Sequence, residues 1–229
     1  MLRLAYPSSP LCAQLRRRQA LLPVLFASLL GCAQGDAGAL EQAGFSAACS
    51  DDDVGCVELG LAAPLAVGAT LTVDLVALGA GQALPAAALE SARAEVLEVR
   101  GTELVPLAPG ITALLLSAED GSVIDFFHVA SEAPDALAFL RADDPRRIET
   151  AVQLLVGDEL RLVAAPSRAG QRLAGSLEAA WSVDEPETIA LLTTGQTGER
   201  RLVARAPGVC TVQVSALGLS TSLSIEVLP

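Results

Sequence analysis

Few side chains in this 229-residue chain could carry out chemistry, and their types narrow the reactions at once. There is one histidine, His128, no lysine, and one tyrosine, Tyr6, close to the start. General-base catalysis, Schiff-base formation and metal sites built on two histidines therefore lack their usual participants. A serine nucleophile would have to rely on His128, and no nucleophile-elbow pattern stands near it. Carboxylates occur in pairs, Asp143-Asp144 and Asp184-Glu185, in segments that read as loops, where solvated acid is the ordinary explanation. Gly79-Ala80-Gly81 joins two strand-like runs and lacks the following helix that a phosphate loop needs. These residues predict no enzyme, no cofactor and no metal site.

The thiols remain, and Cys32 has the most telling surroundings. It ends the run Ala20–Leu30, eleven mostly apolar residues with Pro23 inside, preceded by Arg16-Arg17-Arg18. A bilayer-spanning helix needs roughly 20 apolar residues, so this run is too short to span. A basic region, a short apolar region and small residues at the exit are the parts of a secretory signal peptide. A buried helix of the folded domain is the alternative, and it must accommodate three arginines and a proline. Leu29-Leu30-Gly31-Cys32 resembles the lipobox of bacterial lipoproteins. The resemblance implies that residues 1–31 are removed and that the Cys32 thiol carries a diacylglycerol thioether. Ala33 stands where an aspartate would resemble an inner-membrane retention signal, so the outer membrane is the expected address, on its periplasmic or its surface face. A plain secreted protein with a chance cysteine is the competing reading. Two or three acyl chains hold a protein stably at a bilayer, at about 0.8 kcal/mol per buried CH₂.

Without residues 1–31 the chain keeps eleven arginines against 27 acids, a net charge of −16, which excludes nucleic acid as a partner. Residues 32–56 are rich in Gly, Ala, Ser and Asp without a sustained period, the composition of a flexible tether. Within them Cys49 and Cys56 can close a small disulfide loop in an oxidising compartment. Asp51-Asp52-Asp53 inside that loop lacks the spaced oxygen ligands of a calcium site.

Beyond residue 57 short alternating runs recur at 70–76, 94–99, 111–116 and 122–129, separated by Gly, Pro, Asp and Ser. Such spacing predicts an antiparallel sandwich. The pattern then repeats. Ala108-Pro109-Gly110 returns as Ala206-Pro207-Gly208, Val67-Gly68 as Val156-Gly157, and Ala87-Ala88-Leu89 as Ala179-Ala180-Trp181. Offsets of 89, 92 and 98 residues place insertions in loops and predict two copies of one sandwich, at 57–131 and 132–229. In the second copy Cys210, Val212 and Val214 share one parity, as do Leu223, Ile225 and Val227, so all six point inward and Cys210 reads as a small buried hydrophobe. In the first copy the same parity puts Asp125 inward, which predicts a bulge or altered register there. Residues 136–141 read as a strand in preference to a short helix opened by Pro134.

Trp181-Ser-Val-Asp-Glu-Pro186 with Ile189-Ala190-Leu191, then Val203-Ala-Arg-Ala-Pro-Gly208 and Thr211-Val-Gln-Val214, resembles bacterial Ig-like domains of group 2. Val156-Gly157 with Leu162 supplies their opening segment, and the first copy is a degenerate relative in which Leu89 replaces the tryptophan. The resemblance implies an all-β protein of two tandem Ig-like antiparallel β-sandwiches, with Gly110 and Gly208 structural and Trp181 in the core. It brings no catalytic residues. The expected function is a lipid-anchored structural or spacer module of the cell envelope. The alternative is a surface adhesin or envelope-assembly subunit that binds protein, by strand addition at an exposed edge, or glycan.

Overall fold

The computed structural model describes residues 36–49, 54–78, 86–144, 146–193 and 198–229. Leu29, Leu30, Gly31, Cys32, Asp51-Asp52-Asp53 and Gly79-Ala80-Gly81 lie outside them. The first half runs β1 (Asp36–Ala37), β2 (Ala43–Ala47), α1 (Val54–Leu59), β3 (Leu65–Ala66), β4 (Leu71–Ala77), β5 (Ala87–Ser91), β6 (Leu97–Arg100), β7 (Glu103–Pro106), β8 (Gly110–Ala118) and β9 (Val123–Glu132). These strands make two sheets, ordered β1-β2-β4-β7-β6 and β3-β9-β8-β5. The second half runs β10 (Ala136–Arg141), β11 (Ile148–Glu149), β12 (Ala151–Leu155), β13 (Glu159–Arg168), β14 (Gln171–Arg172), β15 (Ala180–Val183), β16 (Ile189–Thr193), β17 (Glu199–Ala204), β18 (Gly208–Ala216) and β19 (Leu219–Leu228). Its sheets are ordered β11-β10-β13-β17-β16, with β14 beside β13, and β12-β19-β18-β15. The protein is two Ig-like sandwiches in series, and residues 136–141 are the strand β10.

Period-two alternation sets which side chains fill each core. Leu114, Leu116 and Val129 are buried in the first sandwich; Cys210, Val212, Val214, Leu223, Ile225 and Val227 are buried in the second. Trp181 is half-buried and meets the ring of Phe139 edge-on at 5.6 Å, as a core aromatic does. The repeat is visible in the hydrogen bonds. Leu107 N–H donates to the Val96 carbonyl at 2.8 Å, and Arg205 N–H donates to the Thr188 carbonyl at 2.9 Å. Gly110 and Gly208 then open equivalent strands against these same residues. A Cβ at Gly110 would stand 3.3 Å from Val96, and one at Gly208 would stand 3.1 Å from Thr188, so each strand start needs the small residue for its close approach.

The expected tether over 32–56 does not hold for its described part. β2 pairs antiparallel with β4 from Ala43↔Ala77 to Ala47↔Val73, and Phe45 is fully buried, stacked 5.9 Å from Phe127. The first sandwich therefore begins at Asp36. It lacks an amphipathic period there because the strand is built from small residues around one aromatic. Cys49 and Cys56 are joined, with Cα atoms 5.6 Å apart, between β2 and α1.

Asp125 explains how so short a strand is held. It points inward with no exposed surface, and a bulge lies immediately beside it, where Leu116 pairs with Asp125 but Ser117 pairs with Val123. Its Oδ1 accepts the N–H groups of Leu40 and Phe126, each at 2.8 Å. Its Oδ2 accepts those of Gln42 at 2.8 Å and Ala43 at 2.9 Å. A side chain on Gly38 would overlap this carboxylate, so the hairpin wraps it with glycine at the nearest point. Burial disfavours the charged form, but the N–H donors of Leu40, Ala43, Gln42 and Phe126 outweigh it and hold the acid below its usual range.

Two consequences can be measured. Because the folded pKa of Asp125 is depressed, its stabilisation is complete above the unfolded value near 4 and fades as pH falls through the folded value. Asp125→Asn keeps one acceptor oxygen and turns an NH₂ toward N–H donors, so it should cost about 3 kcal/mol in denaturant unfolding at pH 7. Its stability should also fall less steeply than wild type below pH 4. Replacing both Cys49 and Cys56 by alanine should cost about 2 kcal/mol under oxidising conditions and nothing relative to wild type in reductant.

Candidate functional site

The residues with chemical potential are dispersed or engaged in holding the fold. His128 is exposed on the outer face of β9, edge-on to Phe126 at 5.5 Å. Asp184 accepts the Thr211 N–H at 2.7 Å, and this bond lowers its pKa. Asp143 pairs with Arg141 at 3.0 Å, which holds it ionised to lower pH. Burial pushes the Cys210 thiol upward, with the fields of Asp184 and Glu185 adding to the shift, so it is a poor nucleophile. Among the described residues no three His, Cys, Asp or Glu side chains stand close enough to hold a metal ion, and no helix is long and apolar enough to cross a membrane. One open depression in the second sandwich is lined by Trp181, Gln213 and Ser222 and holds no titratable side chain; another is lined by Glu178 and Arg200, and an arginine does not act as a base.

The most elaborate arrangement of side chains and backbone lies where the sandwiches meet. Only residues 133–135 connect β9 to β10, and the segment 64–70 of the first sandwich runs beside 174–176 of the second. Ala66 N–H donates to the Ala174 carbonyl at 2.9 Å, and Ala174 N–H donates to the Pro64 carbonyl at 2.8 Å. Thr70 and Ser176 exchange both backbone bonds, at 3.1 and 2.7 Å. This is strand pairing across a domain boundary, and it demands close approach. Gly175 meets it with φ +113° and no side chain. A Cβ there would lie 2.8 Å from that of Ala69. Leu217 of the second sandwich caps Gly68 of the first in the same way, since a Cβ on Gly68 would stand 2.7 Å from the Leu217 Cδ2. The two cores run into one another here: Ala66 and Ala69 belong to the core of the second sandwich, and Ala174 to that of the first.

Charges brace the joint from outside. Glu58, on α1 just past the disulfide, reaches Arg146 at 2.5 Å and Arg172 at 3.2 Å, both in the second sandwich. The Arg146 hydrogen bond is the main reason its pKa is lowered. Glu132 stands 3.7 Å from Arg168, and Asp135 accepts the Ala169 N–H at 3.0 Å. Sequence reasoning found none of these partners, because Glu58 and its arginines lie far apart in the chain and no spacing links them. The inward parity of Asp125 was a signal that could be read; the joint left none.

Of the residues singled out in sequence, Trp181, Cys210, Gly110 and Gly208 are structural positions, Cys49 and Cys56 form the brace behind α1, and Cys32 lies outside the described residues. Among the described residues, β5 and β15 each stand at the edge of their sheet.

No family model matches the chain, and no curated protein matches it in sequence. Solved structures align with it at low identity. The S-layer protein rSbsC is 17% identical over 69% of this chain and 23% of its own, with a TM-score of 0.32. The Escherichia coli adhesin FdeC is 14% identical over 85% of this chain and 64% of its own, with a TM-score of 0.33. A beta-glycosidase from Bacteroides vulgatus is 18% identical over 70% of this chain and 23% of its own, with a TM-score of 0.31. The chain thus spans less than two thirds of each of these proteins. Likeness at this level assigns the chain neither an activity nor a partner.

Proposed function

We propose that this protein is a non-catalytic, lipid-anchored component of the bacterial cell envelope, whose two sandwiches act as one rigid spacer. The observation that carries the reading is the backbone pairing between segments 64–70 and 174–176, reinforced by Glu58 with Arg146 and Arg172. A flexible pair of domains needs no such seam; a strut that keeps its length does. Attachment comes from Cys32, whose thiol would carry the lipid at the outer membrane. The absence of lysine, the single exposed histidine and the engaged carboxylates support a role without catalysis. Adhesion or envelope assembly remains the second reading, favoured by the open edges of β5 and β15, where a partner protein could add a strand.

Two experiments test this. Calorimetry of the wild-type protein should give one transition for both sandwiches. Gly175→Val should destabilise it by about 2 kcal/mol and separate the two unfolding events; two transitions in the wild type would end the rigid-strut reading. Cys32→Ser should leave the precursor unacylated and uncut by mass spectrometry, whereas a normally processed, membrane-bound variant would remove the anchor.

A further inference from the structure

The seam is made at a turn that the repeat uses twice. In the first sandwich Ala69 N–H donates to the Ala66 carbonyl at 3.0 Å, and Gly68, at φ +83°, donates to the Pro106 carbonyl at 2.9 Å. In the second, Asp158 N–H donates to the Leu155 carbonyl at 2.9 Å, and Gly157, at φ +94°, donates to the Ala204 carbonyl at 2.9 Å. Residues 66–70 therefore correspond one by one to 155–159. The first turn receives the neighbouring sandwich. The second receives none among the described residues: Leu155 is 52% exposed, Val156 is 44% exposed, and a Cβ on Gly157 would meet nothing within 4 Å.

The difference centres on one N–H group. Ala66 N–H is satisfied from across the seam, by the Ala174 carbonyl at 2.9 Å. Its counterpart, Leu155 N–H, is satisfied from inside its own turn, by the Oδ2 of Asp158 at 2.9 Å. A carboxylate seated on that N–H occupies the place that a neighbour's carbonyl needs. Bulk and charge act in the same direction. Gly175 approaches Ala69 so closely that a Cβ on it would stand 2.8 Å from the Ala69 Cβ. The second turn presents Leu155, Asp158 and Glu159 where the first has Ala66, Ala69 and Thr70. Pressing a sandwich onto them would also strip water from the Asp158 carboxylate.

We propose that the residue at this turn position decides whether a sandwich accepts a neighbour end-on, and that Asp158 closes the second sandwich to such pairing. Ala69 leaves the Ala66 N–H to the next sandwich, whereas Asp158 takes the equivalent N–H for its own turn. Copies of the protein crowded together therefore do not extend the seam into open head-to-tail chains. The inference deepens the spacer reading by naming what limits the pairing; it rests on the seam and not on the lipid anchor.

The experiment uses the whole protein and amide hydrogen exchange, followed by sedimentation. In the wild type the N–H groups of Ala66, Thr70, Ala174 and Ser176 should exchange slowly; fast exchange at all of them would overturn the seam, and the spacer reading and this proposal with it. Ala69→Asp should speed Thr70, Ala174 and Ser176 by about tenfold or more while Ala66 stays slow under the new carboxylate, and Ala69→Val, which adds bulk without an acceptor, should release Ala66 as well. Protection retained at Thr70 and Ser176 in Ala69→Asp, or an Ala66 as fast as in Ala69→Val, would overturn the proposal and leave the wild-type seam standing. Asp158→Ala should speed Leu155 by about tenfold, and an unchanged Leu155 would overturn the cap. Ala69→Asp also frees the 174–176 loop. Adding Leu155→Ala, Asp158→Ala and Glu159→Thr to it should let the loop of one copy seat on the opened turn of the next, read as association that grows with concentration. Ala69→Asp alone should sediment as the wild type does. Association of Ala69→Asp alone, or none in the opened variant, would overturn the proposal.

Discussion

The structure depends on backbone groups approaching closely enough to pair where no regular sheet continues. At the joint, Thr70 and Ser176 exchange both of their hydrogen bonds across the domain boundary, and this is compatible with the chain only because Gly175 and Ala69 are small. Buried amides and carbonyls must be paired, so once the two segments are pressed together the pairing is obligatory and the angle between sandwiches is set with it. The ionic brace from Glu58 is secondary. Its partners are partly exposed, and exposed pairs contribute little by themselves. Its value is geometric, since it ties the disulfide-backed helix α1 to the far side of the seam.

The same demand for pairing governs the start of the fold. The hairpin around residues 38–43 offers more N–H groups than a two-residue strand can satisfy, and the buried carboxylate of Asp125 takes three of them. A charged group in a core is costly unless its lone pairs are occupied. Here four N–H donors occupy them, and the bulge in β9 puts the carboxylate within their reach. In the second sandwich Leu223 holds the inward position that corresponds to Asp125. The two copies thus show two ways of closing the same core, one polar and one aliphatic.

These arrangements fit the proposed spacer role. Acids that might have formed a catalytic pair are engaged with a neighbouring arginine or a backbone amide, as Asp143 and Asp184 are, and the free thiol of Cys210 is buried with its proton held more tightly. An aromatic-poor chain of small aliphatic residues is suited to close backbone contact between domains, though it leaves few ring faces with which to stack a glycan.

Much of the architecture was legible in the amino-acid order. Alternation along 111–116 and 208–216 identified strands and their inward faces, and the repeated Ala-Pro-Gly segments located two copies, because side-chain parity and turn residues are local properties. The inward parity of Asp125 announced an irregularity there. The segment 36–47 was not legible as strand, since small residues around Phe45 carry no period and its stability comes from partners about 30 and 80 residues away in sequence. The seam between sandwiches was equally silent. By itself the sequence determined the fold class, the repeat and the residues facing each core. The tertiary structure alone decided that the leading segment is part of the first sandwich and that the two sandwiches pair along a seam, because both rest on contacts between residues far apart in the chain.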